Sequence, residues 1–187
     1  MTHYVDIKIL NVIEISSAFV LNTVFGRLHN ELAMNEMDCV GVSFPELDEK
    51  HHSLGCCLRV HGSSRDLEQL FSHPWLASLR DYVKLGEFWE VPQGVKHRVV
   101  SRVQTKSNPE RLRRRLMKRH GITEAEARER IPDTAVKMSS LPFINMKSSS
   151  TGQRFKLFIE NGPVLDSPVA GHFSAYGLSP TATIPWF

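Results

Sequence analysis

The chain has 187 residues, 41% of them hydrophobic, enough to bury a sizeable core in one domain or two small ones. Its three cysteines (Cys39, Cys56, Cys57) suit a reducing compartment, and no apolar run nears the ~20 residues that cross a bilayer. The N-terminus also lacks the basic-then-apolar layout of a secretory signal, so the expectation is a cytoplasmic protein without membrane contact.

The formal net charge of +3 conceals a segregation. Residues 1–94 hold 7 basic and 13 acidic side chains, whereas residues 95–187 hold 16 and 7. Within 95–120 there are 10 basic residues against one acid, Glu110. A block of that kind points to a polyanionic partner.

In chain order, Tyr4–Ile9 alternates apolar and polar side chains and predicts a strand with one buried face. Ser16 or Ser17 caps a predicted helix to about Met34, with Leu21, Phe25, Leu28 and Leu32 as its apolar stripe. Helical projection sets His29 about 40° from Phe25, at the border of that stripe. Nine histidines are present, and residue pattern alone does not rank them. Val40–Phe44 reads as a strand stopped by Pro45, and Cys56–His61 as a third strand. Ser63 or Ser64 starts a second helix through Leu67, Leu70 and Phe71, which Pro74 should kink or divide. Tyr82–Val91 supplies a last strand before Pro92-Gln93-Gly94, a natural boundary. The order βαββαβ is that of a ferredoxin-like sandwich, so the expected class is α+β. Residues 1–94 would form the ferredoxin-like domain, and 95–187 a smaller α/β domain.

Val99–Lys106 alternates like a strand, placing Arg102, Gln104 and Lys106 on one face. Such residues can read base edges, or simply form an exposed polar strand face. Asn108 suits an N-cap, Pro109 the first helical position and Gly121 the C-terminal stop, so an Arg-rich helix is expected over about 108–120. Arg111, Arg114, Arg115, Lys118 and Arg119 share one side of it, with Leu112, Leu116 and Met117 on the other. Cations this dense repel one another unless an anion neutralises them, which favours nucleic-acid contact over a merely solvated face. An RNA helix has a deep, narrow major groove, so a slender helix would enter near a stem end, as in a hairpin.

Thr123-Glu124-Ala125-Glu126 is a capping box opening a short helix that ends before Pro132. Phe143–Lys147 and Phe155–Ile159 read as strands flanking a Ser/Thr loop over 148–153. Its hydroxyls can meet phosphate or ribose, or merely form a polar hairpin turn. Phe155 can stack on a base or fill the core.

The run Ser101–Met117 resembles the signature of the type I-F CRISPR repeat-processing endoribonucleases. The likeness extends to Phe25–His29, Gly41–Pro45, Ser150–Gln153, Tyr176–Ser179 and Pro185-Trp186-Phe187, so it covers essentially the whole chain. It implies metal-independent cleavage of a repeat transcript 3′ of a stem-loop. The 2′-hydroxyl would attack the adjacent phosphate, giving a 2′,3′-cyclic phosphate and a 5′-hydroxyl.

The resemblance also implies the residue roles. His29 would be the general base, Ser148 would hold the scissile nucleotide, and Tyr176 would orient His29. Arg102 and Gln104 would read bases low in the stem, Phe155 would stack on the terminal pair, and the helix bearing Arg115 and Arg119 would fill the major groove. The full expected RNA-binding set is Arg102, Gln104, Lys106, Arg111, Arg114, Arg115, Lys118, Arg119, His120, Ser150, Thr151 and Phe155. No metal or cofactor is expected. The implied partners are the repeat hairpin, the mature guide RNA as a retained product, and other proteins of a CRISPR surveillance complex.

Two rival readings have sequence features of their own. His51, His52, Cys56 and Cys57 cluster as in a metal site, but adjacent cysteines on a strand face opposite ways. A non-catalytic RNA-binding module would use the ferredoxin-like half as a stacking platform, yet Cys56–His61 lacks aromatic residues.

Overall fold

The computed structural model describes residues 1–104, 109–132, 140–148 and 151–187, and the Arg111 side chain is also outside the described set. The protein is α+β, with two antiparallel sheets and, among the described residues, four α-helices. Two compact units result: Met1–Val103 with Leu141–Phe187, and Gln104–Ser140.

The larger unit begins with β1 (His3–Ile9), whose alternate residues Val5, Ile7 and Ile9 are buried. Helix α1 (Ser17–Met34) follows, capped by the Ser16 hydroxyl accepting from the Phe19 N–H. Leu21, Phe25, Leu28 and Leu32 are all buried, as the 3.6-residue periodicity predicts. Strand β2 (Gly41–Ser43) and strand β3 (Cys57–Gly62) come next. Helix α2 (Ser64–Phe71) starts from a capping box made by Ser63 and Asp66 and stops before Pro74. A 3₁₀ turn over Ala77–Leu79 then leads to β4 (Val83–Leu85) and β5 (Trp89–Glu90). The sheet order is β2-β3-β1-β4, and β5 also pairs with β1.

The single strand expected over Tyr82–Val91 is therefore two. Ile7 pairs with Leu85 and His3 with Glu90, so one extra residue is accommodated between the pairings. Phe88, in the interruption, leaves the strand line and packs against Phe71 with ring centroids 5.6 Å apart.

A second sheet, ordered β7-β8-β6-β9, is built from β6 (Lys96–Val103), β7 (Phe143–Lys147), β8 (Arg154–Leu165) and β9 (Thr183–Trp186). Strand β8 runs well past the expected Phe155–Ile159 because Asn161, Val164 and Leu165 continue the pairing with β6. Strand β9 has no local sequence signal of its own; its four-residue ladder with β6 includes Pro185, which an edge strand tolerates. Both sheets and α1 contribute to one continuous core that includes Ile7, Phe25, Leu58, Ile144, Leu157 and Ile184.

The other unit carries α3 (Pro109–His120) and α4 (Glu124–Arg130). Gly121 closes α3 with φ +62°, and its N–H donates to the Met117 carbonyl at 2.8 Å. Thr123 and Glu126 form the capping box of α4. Arg113 departs from its neighbours: it is buried, and its Nε–H donates to the Ile131 carbonyl at 2.8 Å, tying the end of α4 to α3. The expected N-cap Asn108 lies outside the described residues.

One buried polar pair gives the fold a pH dependence. His61 is fully buried, and its Nε2 shares a hydrogen bond with the Ser43 hydroxyl at 2.8 Å. Burial, reinforced by the nearby Arg59 charge, pushes its pKa down to about 3. Folded His61 thus stays neutral where the unfolded side chain, titrating near 6.5, has taken a proton. The unfolded state binds the extra proton, so stability is expected to fall as pH drops from about 6.5 toward 3, by at most ~1.4 kcal/mol per pH unit. Thermal melts of wild type and His61→Gln across that range should show a shallower slope in the variant.

Candidate active site

His29 sits three turns into α1 on the flank of its buried stripe, half-exposed beside the fully buried Leu28. Its Nδ1 lies 2.9 Å from the Ala175 carbonyl oxygen. A carbonyl oxygen only accepts, so Nδ1 carries the proton and the neutral ring keeps its basic lone pair on Nε2. The Tyr176 ring stacks on the imidazole, centroids 4.1 Å apart and planes 11° from parallel. Carbonyl and ring come from consecutive residues, so a single turn sets both the tautomer and the plane of His29.

That turn is held from several sides. The Gly177 N–H donates to the Ser174 carbonyl at 2.8 Å, and the Val42 N–H of β2 donates to the Gly177 carbonyl at 2.9 Å. Gly177 has φ +67°, and a Cβ there would stand 2.7 Å from a Val42 methyl. Leu178 and Ser179, just beyond, are buried. The Tyr176 turn is therefore rigidly seated on the core.

Arg102, at the end of β6, extends its guanidinium over two rings at once, 5.5 Å from the Phe155 centroid and 5.5 Å from that of Tyr176. Phe155 is half-buried at the start of β8, so it both packs on the core and offers ring surface beside Arg102.

His29 and Ser148 line one groove of about 830 Å³ between α1 and the β7–β8 hairpin. In the hairpin loop the Ser148 hydroxyl accepts from the Thr151 N–H at 3.2 Å, and the Ser148 N–H donates to the Gln153 carbonyl at 2.8 Å. The Asn145 N–H of edge strand β7 donates to the Asn22 side-chain oxygen of α1 at 3.0 Å, fixing helix to hairpin. The groove is further lined by Arg27, Lys147 and Arg154, none of which the sequence singled out. Helical phase offered a signal for part of this lining, since residues 19, 22, 23, 26 and 29 recur at spacings of three or four. Lys147 and Arg154 had no such signal, because the hairpin register that pairs them is a tertiary fact.

Of the other expected RNA contacts, Arg114, Arg115, Lys118, Arg119 and His120 are exposed on α3. Lys118, Arg119 and His120 fall in its last turn, where positive charge also complements the helix dipole. Gln104 and Thr151 are exposed. Lys106, Ser149 and Ser150 lie outside the described residues. Among the residues of the metal reading, His51 is on the surface with Nδ1 2.6 Å from the Asp48 carboxylate, which raises the pKa of its imidazole. Cys57 is buried, and burial pushes its thiol up to about 11. Among the described residues no three His, Cys, Asp or Glu side chains converge as metal ligands, and no helix is long and apolar enough to cross a membrane.

An imidazole with its proton held on Nδ1, on the wall of a groove lined by hydroxyl, amide and cationic groups, can exchange a proton with an anionic ligand bound there. Comparison with known proteins is more specific: the family described as CRISPR-associated protein (Cas_Csy4) matches residues 4–187. The chain belongs to this family. It is 49% identical, over the full length of both chains, to the CRISPR-associated endonuclease Cas6/Csy4 of Pseudomonas aeruginosa (strain UCBPP-PA14). It is likewise 46% identical at full length to the CRISPR-associated endonuclease Cas6/Csy4 of Escherichia coli (strain UTI89 / UPEC).

Proposed function

We propose that this protein is an endonuclease that cleaves CRISPR repeat RNA, and that it does so without metal, 3′ of a hairpin stem. The observation that carries this reading is His29, whose proton is held on Nδ1 by the Ala175 carbonyl while the ring lines a groove shared with Ser148. In the proposed step Nε2 takes the proton of the ribose 2′-hydroxyl. The 2′-oxygen bonds to the adjacent phosphorus and the P–O5′ bond breaks. The 5′-oxygen picks up a proton, leaving a 2′,3′-cyclic phosphate and a 5′-hydroxyl. Ser148 holds the scissile nucleotide, and Tyr176 acts as a positioning residue by stacking on His29.

Arg102 and Gln104 read the lowest base pairs of the stem, and Phe155 stacks on its terminal pair, with Thr151 and Ser150 on the backbone. The basic helix α3 carries Arg114, Arg115, Lys118, Arg119 and His120 to the phosphates, joined by Lys106 and Arg111. In this reading β1–β4 with α1 and α2 form a ferredoxin-like βαββαβ domain over 1–94, and 95–187 supplies RNA recognition. The observed sheet order β2-β3-β1-β4, antiparallel throughout, supports that assignment. The protein acts in the cytoplasm, keeps the mature guide RNA and joins other proteins of a CRISPR surveillance complex.

The deciding experiment incubates the protein with a repeat hairpin in excess EDTA. Cleavage with a cyclic-phosphate end is expected. Bound but intact RNA would instead make the protein a binding module, and cleavage restored only by a divalent ion would overturn metal independence.

A further inference from the structure

The turn that serves His29 is built on a serine side chain. Ser174, Ala175, Tyr176 and Gly177 form a β-turn, closed by the Gly177 N–H donating to the Ser174 carbonyl at 2.8 Å. Neither central residue, Ala175 or Tyr176, has a positive φ, which makes the turn type I. Such turns favour serine at the first position and glycine at the fourth, as here. The Ala175–Tyr176 peptide at its centre is planar, with C=O and N–H on opposite edges. One edge faces His29, whose Nδ1 lies 2.9 Å from the Ala175 carbonyl oxygen. The other faces Ser174: the Tyr176 N–H donates to Oγ at 3.4 Å, and no other acceptor takes it among the described residues. The Ser174 hydroxyl proton is donated to the Leu178 carbonyl at 2.9 Å, so Oγ meets Tyr176 with its lone pairs. The Ser174 N–H donates to the same carbonyl at 2.9 Å, fixing the residue at the neck of the loop.

A β-turn can rearrange by flipping its central peptide, which converts type I to type II. Here the flip would put the Tyr176 N–H where the Ala175 carbonyl faces His29. Nδ1 would then have to accept, the proton would move to Nε2, and Nε2 would lose its basic lone pair. Two features oppose this. Tyr176 would need the positive φ that favours glycine, and Ser174 Oγ would lose its donor.

We propose that Ser174 is a positioning residue for cleavage, its hydroxyl holding the Ala175–Tyr176 peptide in the orientation that keeps the His29 proton on Nδ1. The effect on rate rests on the functional reading above, whereas the effect on the tautomer concerns the free protein alone. Ser174 is exposed and does not line the groove, so it acts through the turn.

The test compares wild type with Ser174→Ala and with Ser174→Thr, which keeps the hydroxyl. Alanine leaves every backbone bond of the turn in place, so the fold is expected to hold. Heteronuclear NMR of the histidine rings in RNA-free protein should show His29 as the Nδ1–H tautomer in wild type and Ser174→Thr. Ser174→Ala should show a mixture with the Nε2–H form. Single-turnover cleavage of a repeat hairpin should slow about five- to tenfold in Ser174→Ala, the scale of one hydrogen bond, and recover in Ser174→Thr. Affinity for a hairpin blocked by a 2′-deoxy nucleotide at the scissile position should be the same in all three. Wild-type rate and tautomer in Ser174→Ala overturn the proposal. So does a rate loss that threonine does not restore, or one matched by weaker binding, which would make Ser174 an RNA contact. Wild-type protein that leaves the hairpin intact overturns the functional reading instead, and the tautomer measurement still decides what Ser174 does to His29.

Discussion

Replacing His29 with alanine is expected to lower the cleavage rate by about 10²–10⁴-fold, the usual contribution of a general base, so that no product forms on an ordinary assay timescale. Hairpin affinity should stay within about tenfold, ~1.4 kcal/mol, because one half-exposed imidazole is a small part of the contact surface. Stability should change by only about 1 kcal/mol, the net value of one hydrogen bond to the Ala175 carbonyl. Single-turnover cleavage, a binding titration and a thermal melt on the same variant separate the three quantities. A large loss of binding with modest loss of rate would make His29 a structural residue and remove the basis of the proposed chemistry.

Phe25→Ala, one helical turn earlier, should show the opposite pattern. Phe25 is 1% exposed and stacks on Phe44 with ring centroids 6.0 Å apart. Truncating a ring in that setting costs about 3–5 kcal/mol through lost burial and the cavity left behind. Denaturant unfolding should show that loss directly, as a lower midpoint with little change in slope. Below its melting temperature the variant should retain cleavage, since Phe25 touches the core and not the groove. A loss below about 1 kcal/mol would mean that α1 can shift to refill the space, and that His29 is less firmly placed than its packing suggests. Together the two variants would divide the helix into a face that holds the fold and a flank that carries the proposed chemistry.

Local signals were most legible where physics acts within a few residues. Ser16, Ser63 and Thr123 sit at the N-caps of α1, α2 and α4, because a side-chain oxygen satisfies helix-end N–H groups at short range. The apolar stripe of α1 and the alternation of β1 follow from the periods of helix and strand. Where long-range pairing decided the outcome, local pattern fell short. Tyr82–Val91 reads as one strand, but pairing with β1 and the pull of Phe88 toward Phe71 divide it. The length of β8 and the existence of β9 depend on β6 lying between them, which no window of residues can show.

The candidate site divides along the same line. By itself the sequence determined the charge segregation, the basic segment that becomes α3, the phase of His29 at the border of its helix, and, through likeness along nearly the whole chain, the family. Only the tertiary structure decided that Ala175 would fix the His29 proton, that Tyr176 would stack on its ring, and that Arg102 would span Tyr176 and Phe155. His29 and Ala175 are 146 residues apart in the chain. A hydrogen bond of that separation exists only once two sheets and a helix share one core. The same closure made the groove by setting that face of α1 beside Lys147 and Arg154, whose own sequence contexts carry no sign of it.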